Sequence, residues 1–247
     1  MKKKKNVAIV HYNTPELTEA CVRSLRKHEV DGGVTYHVTI LDNSDMRPFV
    51  RRMKGVTVIN NRNGQVIDFK KALAQYPEKS ERAGCAKGCW FGSDVHMMSV
   101  QKLWELVPQG FVLLDSDVLL KRDIDWMYLD DECSLGYITL GSGLYRRHRL
   151  VPMLLWVNVP MCVAGGAKFF DPDRSWALHT YESRKNWWDT GAAFLDDIKR
   201  LKPQCHGKAL SREQIDSTIE HFGGGSWRQN DLSIQRQWLE EHIDLWG

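Results

Sequence analysis

The sequence predicts an α/β fold, with a mostly parallel, Rossmann-like central sheet flanked by helices. Three observations carry that expectation. Strand-length apolar runs alternate with helical patterns through the first half of the chain. One run, Phe111-Val112-Leu113-Leu114, is continuously apolar between Gly110 and Asp115, as a central strand covered on both faces would be. No internal repeat or low-complexity linker interrupts the series, and 247 residues suit one large domain.

In chain order, Asn6 to Tyr12 reads as a buried strand. Asn13-Thr14-Pro15-Glu16 then supplies a polar cap, a proline in the first helical turn and an early acid. Leu17, Ala20, Cys21 and Leu25 continue at helical spacing to about Lys27. Tyr36 to Asp42 is a second strand, closed by the turn-rich Asn43-Ser44-Asp45, and Val56 to Asn60 is a third. Asn61-Arg62-Asn63-Gly64 turns the chain into a short helix through Val66, Phe69 and Leu73. Pro77 to Gly92, rich in Gly, Lys and Cys, reads as a loop. Ser93 can cap the next helix, whose apolar stripe is Val100, Leu103, Trp104 and Val107; His96 falls on that stripe and reads as a core histidine. After the central strand, Tyr137 to Leu140 and Met153 to Val159 read as strands, and Thr190 to Arg200 and Leu232 to Leu245 as helices. The grain changes near residue 125, which divides a single domain, 1–247, into halves 1–125 and 126–247.

Hydrophobic residues at 43% and charged residues at 26% exclude disordered, collagen-like and coiled-coil classes. No apolar run approaches the roughly 18 residues of a membrane-spanning helix, and the start does not read as an export signal, so a cytoplasmic protein is expected. A net charge of +3 is too small to imply nucleic acid, because Lys2 to Lys5 supply more than all of it. That lysine run reads as a solvated tail, or as loose contact with an anionic inner membrane surface at about 1 kcal/mol per lysine. Cys21, Cys85, Cys89, Cys133, Cys162 and Cys205 are scattered and are expected as reduced thiols. The spacing of Cys85 and Cys89 does not fit a zinc knuckle.

Asp115-Ser116-Asp117 is the most informative triplet. Alternate residues of an extended segment point the same way, so two carboxylates would converge just beyond a buried strand, where open α/β sheets bind ligands. Two hard oxygen donors with open positions suit Mg²⁺ or Mn²⁺ shared with a diphosphate. The bland alternative is a polar strand end. Asp189, between Trp187-Trp188 and a helix start, could be a general base for an acceptor hydroxyl beside rings that stack on sugars, or a helix cap beside core tryptophans. Arg62, Lys71, Arg122 and Lys168 are candidates for phosphate neutralisation.

Residues 6 to 66 resemble the opening of family 2 glycosyltransferases of the GT-A fold. The residues concerned are Val7-Ala8-Ile9-Val10-His11-Tyr12-Asn13, Ser24-Leu25, Leu41-Asp42-Asn43-Ser44, and Val58 to Gly64 ending in Asn-x-Asn-Gly. The resemblance implies a nucleotide-binding first half in which His11, Asn13, Asp42 and Asn63 lie around the nucleoside of a nucleoside-diphosphate-sugar donor. It also implies that Asp115, Ser116 and Asp117 meet the metal and the sugar-nucleotide phosphates. The second half, expected to bind the acceptor, resembles a broader set of GT-A enzymes through Trp187 to Phe194. His221-Phe222-Gly223-Gly224-Gly225-Ser226-Trp227 is similar to the His-aromatic-x-Gly segment of family 8 enzymes, where the histidine is the third metal ligand, but lacks the Lys-Pro before the final tryptophan. By resemblance His221 joins Asp115 and Asp117, and an imidazole beside two carboxylates favours Mn²⁺ over Mg²⁺.

The expected activity is transfer of a sugar from that donor to a carbohydrate or lipid-linked acceptor. Inversion suits the family 2 opening and Asp189 as base; retention suits the His221 segment. The rival classes are an aspartate-nucleophile phosphohydrolase, whose Asp-x-Asp normally lies near the chain start, and an inactive sugar- or nucleotide-binding module of the same fold.

Overall fold

A strand buried on both faces needs apolar residues at odd and even positions alike, and the sheet is built where the sequence provides them. A computed structural model describes residues 3–29, 33–61, 89–139, 148–171, 190–200, 207–223 and 231–247. The elements are β1 (Lys3–His11), α1 (Pro15–Lys27), β2 (Val34–Asp42), β3 (Val56–Asn60), α2 (Cys89–Leu106), β4 (Phe111–Asp115), β5 (Val118–Leu120), a 3-10 turn (Asp125–Met127), β6 (Ser134–Thr139) and β7 (Arg149–Val157). They continue with α3 (Val159–Ala164), α4 (Ala192–Arg200), β8 (Gly207–Leu210), α5 (Arg212–Thr218), β9 (Ile219–His221), α6 (Leu232–Glu241) and α7 (Ile243–Trp246).

Among the described residues the strands form a seven-stranded sheet, ordered β3-β2-β1-β4-β7-β6-β8, and a two-stranded ribbon of β5 with β9. β1, β2, β3 and β4 pair in parallel, β7 runs antiparallel to β4 and β6, and β8 is parallel to β6. This is the α/β architecture the sequence predicts, mostly parallel and flanked by helices. Alternate residues divide the core into two layers. Val7, Ile9, Val112 and Leu114 pack with Cys21, Val22 and Leu25 of α1. Ala8, Phe111 and Leu113 pack with Met97, Val100, Leu103 and Trp104 of α2 and Phe194 and Ile198 of α4.

The chain leaves β1 first toward β2 and β3, then returns to place β4 on its other side. Such a reversal opens a crevice between neighbouring strands at their carboxyl ends. His11 and Asp115 close β1 and β4 at that edge, and Asp42 lies beside His11 in the register of β2.

Several expectations change. α2 begins at Cys89, inside the span read as a loop, while the short helix expected through Val66 to Leu73 lies outside the described residues. β6 and β7 start earlier than their apolar centres indicated, because their first residues satisfy backbone pairing with mixed side chains. The C-terminal helix divides at His242, whose Nδ1 lies 2.8 Å from the Trp238 carbonyl oxygen. The lysine run is not wholly a solvated tail. β1 starts at Lys3, and Lys5 is 9% exposed, its ammonium donating to the Asp125 carbonyl oxygen at 2.9 Å and lying over the Tyr128 ring. Nor are the cysteines all thiols: Cys21 and Cys162 are free and buried, whereas Cys133 is disulfide-bonded, a proximity that linear spacing does not encode. Among the described residues no helix is long and apolar enough to cross a membrane.

Candidate functional site: an Asp-Asp-His cluster

Asp115 is the last residue of β4, and Ser116 and Asp117 form the turn into β5. The two carboxylates therefore converge through a tight turn and not along one extended strand. β5 then pairs with β9 in an antiparallel register that sets Val118 opposite His221. Phe222 N donates to the Asp117 carbonyl oxygen at 3.0 Å, fastening the end of β9 to the same turn. His221 Nε2 consequently lies 3.3 Å from Asp117 Oδ1. One ligand atom from each of Asp115, Asp117 and His221 falls within 4.8 Å of the others.

The charges in this cluster perturb each other. Burial pushes the Asp115 carboxyl well above the usual carboxylate range, and the like charge of Asp117 pushes the same way; His221 and Arg149 oppose them. At His221 burial alone would lower the pKa, but the hydrogen bond and charge of Asp117, joined by Asp115, hold it above its ordinary value. Two crowded acids and a histidine that attracts a proton form a site short of positive charge. Two carboxylate oxygens and one imidazole nitrogen, with further positions open, fit a divalent cation of the Mn²⁺ or Mg²⁺ type.

Of the residues expected around the nucleoside, His11, Asn13 and Asp42 come together at the ends of β1 and β2, where they shape the loop 43–49. Asp42 is buried, with Oδ1 accepting from Ser44 N at 2.9 Å and Oδ2 from Phe49 N at 2.7 Å. Asn13, at φ 56°, accepts from Met46 N and Arg47 N and donates to Asp45 Oδ1 at 2.6 Å. Asn is among the few side chains that tolerate this left-handed backbone. His11 Nδ1 lies 2.7 Å from Thr18 Oγ1 and its Nε2 3.3 Å from the Arg47 carbonyl oxygen. Ser116 Oγ lies 3.4 Å from Thr14 Oγ1, joining the β4 turn to the start of α1. Asn63, Asp189, Trp187, Trp188, Arg62 and Lys71 lie outside the described residues. Arg122 is exposed and stacks over Trp126, and Lys168 is exposed near α4, donating its backbone N–H to Asp197 Oδ2.

His11 yields a pH prediction. Burial lowers its pKa from 6.5, against the opposing charge of Asp42. The unfolded chain therefore binds a proton near pH 6.5 that the native state refuses, so His11 costs stability as pH falls through that value. The stability advantage of the native chain over His11→Asn should shrink from pH 7 to pH 5, by at most about 1.4 kcal/mol per pH unit. Urea melts at the two pH values check this; a constant gap would mean that His11 is protonated alike in both states.

Three features were missed in the sequence. His96 is no core histidine: it is 20% exposed and its Nε2 lies 3.8 Å from Asp115 Oδ1. Because α2 leads into β4 through a short turn, it runs back along the sheet. The same stripe that packs the core at Val100 and Leu103 therefore arrives at the carboxyl edge by His96. Arg149, the first residue of β7, brings a positive charge to bear on Asp115 from the antiparallel side. A buried polar chain also joins β2, β3 and α2. In it Asn61 Nδ2 donates to Asn43 Oδ1 at 2.7 Å, Asn43 Nδ2 to Ser99 Oγ at 2.8 Å, and Lys102 Nζ to Asn61 Oδ1 at 2.6 Å. The run Asp42-Asn43 and the helical spacing of Ser99 and Lys102 were visible, but not their partners.

No protein-family model matches the chain, and no curated protein matches it in sequence. In three dimensions it is similar to an apo structure of mouse xyloside xylosyltransferase 1, at 12% identity over 92% of each chain and a TM-score of 0.46. It is also similar to an active-site mutant of LgtC, at 12% identity over 92% of this chain and 95% of that one, with a TM-score of 0.49. The glycosyltransferase GlyE of Streptococcus pneumoniae matches at 12% identity over 97% of this chain and 52% of its own, with a TM-score of 0.43.

Proposed function

We propose that the chain is a metal-dependent glycosyltransferase of the GT-A type, moving a sugar from a nucleoside-diphosphate-sugar donor to a carbohydrate or lipid-linked acceptor. The observation that carries this reading is the Asp115, Asp117 and His221 cluster at the carboxyl edge of the sheet, beside the reversal of strand order. Asp115, Asp117 and His221 would hold Mn²⁺ or Mg²⁺. The chemistry supplied there is neutralisation of the charge that gathers on a diphosphate leaving group. The nucleoside would lie over the ends of β1 and β2, on the loop that His11, Asn13 and Asp42 shape, with Asn63 following β3. Ser116 would meet the phosphates from the turn between the two acids. Asp189, which directly precedes Thr190 and Gly191 ahead of α4 in sequence, would orient the acceptor hydroxyl and take its proton.

A panel of nucleoside diphosphates, each with and without Mn²⁺, tests the reading. A ligand at about 100 times its Kd adds roughly 2.7 kcal/mol of stability, so one member should raise the melting temperature in a Mn²⁺-dependent manner. A flat panel, or hydrolysis of simple phosphate esters without any nucleotide requirement, would overturn it.

A further inference from the structure

We propose that His96 is a positioning residue that fixes the orientation of the Asp115 carboxylate, and that the Asn43, Ser99, Asn61 and Lys102 chain clamps α2 to the sheet so that His96 keeps that place. The proposal rests on the reading of Asp115, Asp117 and His221 as a cation site, and deepens it.

A carboxylate at a strand end can rotate about its last bond, and a site made of three ligands is only as precise as the least fixed of them. Among the described residues, Asp117 has His221 at 3.3 Å. Asp115 has His96 Nε2 at 3.8 Å from Oδ1, on the side reached from α2. That distance is longer than a direct hydrogen bond, so the imidazole N–H reaches Oδ1 through one bridging water. Engaging Oδ1 restrains the carboxylate plane, which is how a partner outside the ligand set tunes a metal site.

The helix that carries His96 is itself unusually fastened at this end. Ser99 is one turn away, buried, and donates its hydroxyl to the Val95 carbonyl oxygen at 2.7 Å while accepting from Asn43 Nδ2 at 2.8 Å. Asn43 directly follows β2 and Asn61 directly follows β3. Two amides and a hydroxyl, each at most 5% exposed, thus tie α2 to two strand ends; a core needing only stability would fill that space with apolar groups. Hydrogen bonds fix direction as apolar contact does not, and the direction fixed here is that of the turn bearing His96.

The test is Mn²⁺ binding alone, followed by the electron paramagnetic resonance signal of the free ion, with melting temperatures taken in a chelator. His96→Ala should weaken Mn²⁺ binding about tenfold, within the range found for partners outside a ligand set. His96→Gln, which can return a nitrogen near the Nε2 position, should recover most of the loss. Ser99→Ala should weaken binding in the same direction, and should add little in a His96→Ala background, because Ser99 acts only through the helix. The His96 side chain is partly exposed, so its replacement should leave the chelator melting temperature almost unchanged, and the result for His96 stands even if Ser99→Ala is too unstable to measure. A native chain that binds no Mn²⁺ would remove the cation site, and the positioning role with it. A native chain that binds Mn²⁺, with His96→Ala binding it equally well, would leave the cation site standing and overturn the positioning role. Fully additive losses in the double variant would overturn the role of the clamp.

Discussion

Asp117→Ala is expected to lower metal-dependent turnover of the donor by at least about a hundredfold, on the scale found when a single group aimed at developing charge is removed. The side chain is 8% exposed and stands between Asp115 and His221, so its loss would remove one proposed ligand and release another. Without Asp117, burial dominates at His221 and its pKa should fall, because the hydrogen bond and charge that raise it come first from Asp117. Folding should not suffer. The like-charge repulsion with Asp115 that is relieved offsets the lost contact to His221, so the variant's melting temperature in a chelator should stay close to that of the native chain. Paired melts with and without Mn²⁺, alongside release of nucleoside diphosphate, check both halves of the expectation. Retained metal dependence would detach Asp117 from the cation site; a large fall in chelator melting temperature would make it a structural acid.

Gly191→Ala is expected to have the largest effect on stability. Gly191 has φ +80°, a backbone that L side chains rarely adopt, and a Cβ there would lie 2.0 Å from the Leu150 carbonyl oxygen. Backbone cannot rotate aside as a side chain can, so the start of α4 must lift from β7, giving up the Leu150 N–H bond to the Gly191 carbonyl oxygen. Strain and overpacking together should cost about 3 kcal/mol or more. For a chain of this size that is a fall in melting temperature of roughly 6 to 12 °C. A fall of under about 2 °C would mean that α4 and β7 do not meet at this glycine.

Periodicity made the first half of the fold legible because parallel strands are long, apolar and separated by amphipathic helices. Phe111 to Leu114 and the Pro15 start of α1 needed no partner to be read. β5, β8 and β9 are three or four residues long, too short for any pattern to exceed chance, and their existence depends on what they pair with. The site divides along the same line. Asp115 and Asp117 could be placed from the strand before them, and His221 through a resemblance, but His96 could not. Its helical spacing with Val100 and Leu103 was real, yet a single stripe on α2 serves both the core and the crevice. Asp42 and Asn13 show the converse. Their position at strand ends was legible, whereas the backbone N–H groups they accept from come from a loop whose path no local pattern specifies.

The ribbon of β5 and β9 also sets the order in which the site can come into being. β5 follows β4 at once, while its partner arrives roughly a hundred residues later, and closing a loop of that length costs about 4 kcal/mol in chain entropy beyond the constant term. Three residues of pairing are a modest return on that cost, so the ribbon should close only after the sheet beneath it is complete. On a ribosome, the crevice at the carboxyl edge could therefore form around β1, β2 and β4 while His221 was still unmade. A partly synthesised chain would carry the crevice without the third member of the Asp-Asp-His cluster, and only the arrival of β9 would complete it.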